Sequence, residues 1–192
     1  MQTDLETTLA ETRSASSQWL ALVQGLSPAQ ANWRPAPDRW SIVQCMDHLN
    51  ITTGLLIAPL NAAVTTARSR GVLASGPFRY GFIARWFLKS LAPRGSKPIP
   101  VPQRYRPSSS QLELATVVSR FQEVQQSFIA VAESADGLDL ARIRISSPAL
   151  KLLRLPLGIW LLSTASHMLR HLYQAQGVRS HEQFPVNEMP VH

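Results

Sequence analysis

The sequence predicts an all-α protein, one domain built as a four-helix bundle, and three observations carry that expectation. Four stretches place apolar residues at steps of three and four, the spacing that lines one face of an α-helix. Each is bounded by Ser, Gly or Pro where helices start and stop. No internal repeat and no alternation of apolar and polar residues, the mark of a half-buried strand, breaks the pattern. The 192 residues, 45% hydrophobic and 16% charged, suffice for a sizeable core and fit a single domain over residues 1–192.

The first helix is expected over residues 4–24, with Leu5, Leu9, Trp19, Leu20 and Val23 at helical spacing and Gly25 as its stop. Residues 26–40 open with Ser27-Pro28, a helix start, but hold three prolines and read as a structured loop with one short turn. Trp33 and Trp40 are expected to bury their rings against the end of the bundle. Ser41 caps a long second helix, residues 41–68, along which Ile42, Cys45, Leu49, Leu56 and Leu60 recur, with a kink expected at Pro59.

Residues 71–107 form a long connection between helices two and three, dense in Gly and Pro. An extra short helix is expected inside it, over residues 78–91, where Phe78, Phe82, Trp86 and Phe87 are interleaved with Arg79, Arg85 and Lys89. A basic amphipathic segment of this kind packs on its own bundle or lies on a membrane surface. Ser108 to Ser110 offer caps for the third long helix, residues 111–135, whose Leu112, Ala115, Val118, Phe121, Val124, Phe128 and Val131 give the cleanest stripe in the chain. The basic segment 138–156 lacks helical periodicity and reads as irregular. Pro156 marks the start of the fourth helix, residues 157–176, stopped at Gly177, and residues 177–192, with His181 and His192, read as an extended tail.

The net charge of +7 is local. Between His48 and Leu112 there are nine basic residues and no acidic one, leaving ten basic against twelve acidic residues elsewhere. This patch can meet phosphate, anionic lipid or an acidic small molecule, although its Pro and Gly punctuation suits a solvated connector and argues against specific reading of nucleic acid. The single cysteine, Cys45, excludes an internal disulfide and sits in an apolar helical pattern, as a small buried hydrophobe would. The first residues lack a basic start followed by an apolar run, and the most apolar window, residues 155–165, is shorter than the roughly 20 residues of a membrane-spanning helix. A cytoplasmic protein without a transmembrane segment is expected.

The chemistry concentrates in His167-Met168-Leu169-Arg170-His171-Leu172-Tyr173-Gln174. Histidines at i and i+4 stand one above the other on a helix, so both imidazoles can reach one point, with Gln174 just beyond them and Arg170 between. Such pairs also occur as ordinary surface or core residues. A third imidazole changes the balance: on the second helix Cys45 and Leu49 fall within about 60° of Ile42, while His48 lies about 80° from the centre of that stripe and borders the core, with Thr52 one turn on. Three neutral imidazoles suit a divalent metal, zinc or nickel above all, and leave an open coordination position for water or substrate. The run lacks the Glu of H-E-x-x-H, so no zincin-type base stands beside the pair.

Two blocks, Trp40-Ser41-Ile42-Val43-Gln44-Cys45-Met46-Asp47-His48-Leu49 and the His167 to Gln174 run, resemble the DinB/YfiT-like superfamily of metal-binding four-helix proteins. Helix order and the preceding Leu26-Ser27-Pro28 and Trp33-Arg34-Pro35 are similar too. The resemblance implies an up-down-down-up bundle with a metal held by His48, His167 and His171. Some members transfer low-molecular-weight thiols such as bacillithiol or mycothiol, others are described as metal-dependent hydrolases, and dimers are common. A small-molecule substrate, an activated thiol or water, and a homodimer are therefore what the resemblance implies here. Gln44 stands where many relatives carry an acidic residue one turn before the first histidine, which makes it a candidate for the pocket, and the 71–107 connection is longer than the family's. The alternative reading is a non-catalytic metal-binding or stress-associated module whose basic surface engages an acidic partner or a membrane.

Overall fold

The computed structural model describes residues 1–92, 101–148 and 152–186. Arg94 and Lys97 of the basic connection, Lys151, and the end of the tail with His192 lie outside the described residues. Four long helices dominate. Helix α1 (Thr3–Val23) leads through the single-turn α2 (Pro28–Asn32) into α3 (Ile42–Ser69). The short α4 (Phe82–Ser90) and a 3-10 turn (Gln103–Tyr105) follow, then α5 (Leu114–Ser134), two short strands β1 (Arg144–Ser146) and β2 (Arg154–Pro156), and α6 (Leu157–Arg179). Helices α1 and α3 each pack against both α5 and α6, and α4 lies on α6.

The helix starts follow from local chemistry. Ser41 and Ser27 each close a capping box: the Ser41 hydroxyl accepts the Gln44 N–H at 3.2 Å while the Gln44 side-chain oxygen accepts the Ser41 N–H at 3.0 Å, and Ser27 and Gln30 do the same. Such caps contribute about 1 kcal/mol each by satisfying donors that the helix leaves open. Gly25 takes φ +74° just beyond α1, the left-handed conformation that ends a helix at little cost.

Several expectations are corrected. Helix α3 starts at Ile42, with Ser41 as its cap, and runs to Ser69 with Pro59 inside it. Helix α5 starts at Leu114, not at 111, because Glu113 is its cap, accepting the Thr116 N–H at 2.8 Å, while Ser108 and Ser109 are engaged elsewhere. Gly177 does not stop α6, which continues to Arg179; its φ is not positive, and burial of Val178 offsets the cost of a glycine in the helix. Residues 138–156 are not wholly irregular: β1 and β2 pair antiparallel with Ile145 opposite Leu155, both buried, and the neighbouring arginines exposed. Three residues per strand are too few for alternation to register in the sequence.

The core has two lobes. One gathers Leu5, Leu60, Phe128, Leu138 and Trp160; the other gathers Trp19, Ile42, Met46, Phe121 and Leu172. Helix α3 is the one described helix long and apolar enough, by length and composition, to cross a membrane. Here its Ile42, Met46, Leu49 and Leu60 are buried and it packs on α5 and α6.

Candidate metal centre

The site lies where α3 meets α6. The Ser41 cap sets the start of α3, and His48 follows two turns later, on the flank that borders the core; His167 and His171 come from successive turns of α6. His48 Nε2 stands 3.2 Å from His167 Nε2, and His171 Nε2 stands 3.0 Å from the same atom. The three residues offer ligand atoms all within 4.8 Å of one another. Nitrogens bound to one tetrahedral ion at about 2.0–2.1 Å lie roughly 3.3 Å apart, and the two spacings to His167 are close to that value.

Two of the rings have their outer nitrogens spoken for. The backbone carbonyl of Tyr105 can only accept, so the 2.5 Å contact with His48 Nδ1 is a donated N–H, which leaves Nε2 with its lone pair. The His171 Nδ1 lies 3.0 Å from Gln174 Oε1, which as an amide oxygen again accepts, fixing the same tautomer. Hydrogen bonds of this kind orient metal-binding imidazoles and raise their basicity. One N–H on His167 can bridge only one of the two lone pairs it faces, and a cation satisfies all three nitrogens together.

Electrostatics agree with geometry. Burial pushes the imidazolium form of His167 down, with the charges of His48 and Arg170 adding to the effect, to a pKa of about 3. His171 lies well below the ordinary value, through burial first and then its histidine neighbours, and His48 is lowered by burial against the opposing pull of the Tyr105 carbonyl and Asp47. All three rings are therefore neutral near neutral pH, the form in which an imidazole can bind a metal. Burial pushes the Cys45 thiol up, so it is a protonated core group and no nucleophile.

The triad forms part of the wall of a cavity of about 700 Å³. Trp40 stacks over it, with its ring 4.8 Å from that of His48 and 5.8 Å from that of His171. Phe87 of α4 meets Trp160 of α6 edge-on at 5.4 Å, and the Trp160 N–H donates to the Ile145 carbonyl of β1 at 3.1 Å, so the hairpin sets one apolar wall. Among the described residues, Arg39, Arg106 and Arg170 reach the lining, against a single carboxylate, Asp38.

Of the remaining residues read from the sequence, Thr52, Arg170 and Gln174 line the cavity. Thr52 donates to the His48 carbonyl at 2.8 Å, and Arg170 donates to the Ser90 carbonyl at 3.2 Å, tying α6 to the end of α4. Gln44 is not among the lining residues: its amide closes the helix cap and donates to the Ser109 carbonyl at 3.0 Å. Asp47 works beside it, accepting the Ser108 N–H at 2.7 Å and hydroxyl at 2.9 Å. Together they bind residues 101–109 along α3 and bring the Tyr105 carbonyl to His48. Tyr105 escapes sequence reading because the acting group is main chain. Trp40, at the head of the first motif block, covers the triad rather than only the bundle end.

The family model of the DinB superfamily matches residues 11–175. No curated protein and no solved structure matches the chain.

Proposed function

Because the chain belongs to the DinB superfamily, we propose that it is a metal-dependent enzyme of the up-down-down-up four-helix type, acting on a small molecule held in the cavity beside its histidine triad. The observation that carries this is the convergence of three neutral imidazoles, two of them anchored through their outer nitrogens, in the wall of an open cavity rather than in a closed core. His48, His167 and His171 would hold the ion, zinc or nickel being the best match to three imidazoles. When bound, such an ion lowers the pKa of water or of a thiol, which supplies the nucleophile for hydrolysis or for thiol transfer.

The chain's own residues provide the rest. Tyr105 and Gln174 hold two ligands in one tautomer. Trp40, Phe87 and Trp160 exclude water from the apolar side of the cavity, and Arg39 and Arg106 offer positive charge to an anionic substrate such as a low-molecular-weight thiol. Among the described residues Asp38 is the one lining carboxylate, and chemistry started by the ion asks for no protein base beside the triad. The reading sets the enzyme in the cytoplasm and allows a homodimer. Metal analysis of the purified chain beside His167→Ala tests it: the expected result is about one ion per chain, lost in the variant, and equal content in both would overturn it.

A further inference from the structure

Helix α4 is apolar on two opposite sides. At about 100° per residue, Ala84, Phe87 and Leu88 fall on one side, while Phe82, Ile83 and Trp86 fall on the other with Arg85 and Lys89 at its edge. The first side is buried or half-buried against the body of the protein. The second faces out: Phe82 is 76%, Ile83 64% and Trp86 62% exposed, and Arg79, Arg85 and Lys89 beside them are exposed too. Helix interiors of soluble proteins do not ordinarily place two aromatic rings and an isoleucine together in water.

We propose that this outer face of α4 docks on an anionic lipid surface, its three apolar side chains entering the boundary between headgroups and chains while the flanking cations meet the lipid charge. Charge rules against a second copy as the occupant, since an isologous contact would set three cations against three more, with no acidic residue between His48 and Leu112 to answer them. Size rules against a protein partner. Nine residues of helix are about 14 Å long and about 10 Å across, so one face covers on the order of 150 Å², short of the roughly 800 Å² per partner that a stable protein interface covers. A bilayer needs only a few inserted side chains and a matching charge. Phe87 and Leu91, just past the helix end, line the histidine cavity, so the docking element is also one of that cavity's walls.

The test is co-sedimentation of the full chain with phosphatidylcholine vesicles, with and without phosphatidylglycerol, at low salt. The expected result is partitioning onto the anionic vesicles only. Replacing Arg79, Arg85 and Lys89 together by Ser should weaken it about a hundredfold, at about fivefold per cation. Phe82→Ser with Trp86→Ser should weaken it at least about tenfold, from the lost apolar insertion. Circular dichroism should be unchanged in the charge variant, which alters exposed residues only and decides the matter if the apolar variant misfolds. No partitioning onto anionic vesicles, equal partitioning onto neutral ones, or a wild-type dimer that the apolar variant dissociates would each overturn the proposal.

Discussion

His48 Nε2 and His167 Nε2 stand 3.2 Å apart across 119 residues of sequence, with His171 Nε2 3.0 Å from the same His167 atom. Two packed helices bring these atoms together, the Tyr105 carbonyl orients the first ring, and what the arrangement binds can be measured directly.

Removing one ligand leaves two, too few to hold an ion against water. His48→Ala is expected to lose metal as fully as His167→Ala while keeping its helical circular dichroism, and atomic spectroscopy after gel filtration reads both. A variant of His48 that retains full metal would remove it from the ligand set.

Gln174 acts through His171, so its loss should be milder. Gln174→Ala is expected to weaken metal binding by about 10- to 100-fold, the usual cost of deleting a partner that orients a ligand. A competition titration with a chelating dye would detect this, and Gln174→Glu should restore or exceed the wild-type affinity by keeping an acceptor on Nδ1.

The metal-stripped protein should lose stability as the pH is lowered. In the unfolded chain histidine protonates near about pH 6.5, whereas in the fold burial holds His167 to about 3 and His48 and His171 below their ordinary value. Between these limits the unfolded state binds more protons. Stability is thus complete above about pH 6.5 and falls on the acid side, by about 1.4 kcal/mol per pH unit for each imidazole held neutral. Urea unfolding across pH 4 to 8, in steps of about one unit, gives the slope, and His167→Gln should flatten it.

Metal added to the stripped protein should stabilise the fold by about 2.7 kcal/mol at a hundred times the dissociation constant, so that the melting temperature climbs with the logarithm of metal concentration. His167→Ala should show no such rise in a differential scanning fluorimetry series.

The cap that sets the position of His48 is testable apart from the metal. Ser41 is buried and its hydroxyl carries the first-turn bond to Gln44, so Ser41→Ala should cost about 1 kcal/mol, within 0.5–2. Deep in the other lobe, Phe128→Ala should cost about 3–5 kcal/mol because it empties a fully buried ring site. Chemical denaturation distinguishes the two, and only Ser41→Ala is expected to weaken metal binding as well.

The sequence revealed the long helices because each buries one stripe, and a stripe repeats every three or four residues. It revealed the triad for the same reason: i and i+4 on α6 are locally readable, and the flank position of His48 follows from counting around α3. What stayed hidden depends on contacts between distant segments. The Tyr105 carbonyl leaves no trace in residue type, the β1–β2 pair is too short to show a period, and Gln44 could be placed near the site by position but not seen to be consumed by Ser41 and Ser109. The end of α6 is illegible in the sequence because a glycine inside a helix and one beyond it look alike until φ is known.

The bond from His48 to position 105 has a consequence for how this site can change over time. Its acceptor is main chain, so no substitution at residue 105 deletes it, short of one that moves the backbone. The orientation of His48 is inherited from the path of residues 101–109 and from the Asp47 and Gln44 contacts that fix that path. Drift in side chains there leaves the ligand untouched, whereas one inserted or deleted residue would turn it. Retuning this centre by design is therefore a problem of loop length before it is a problem of residue choice.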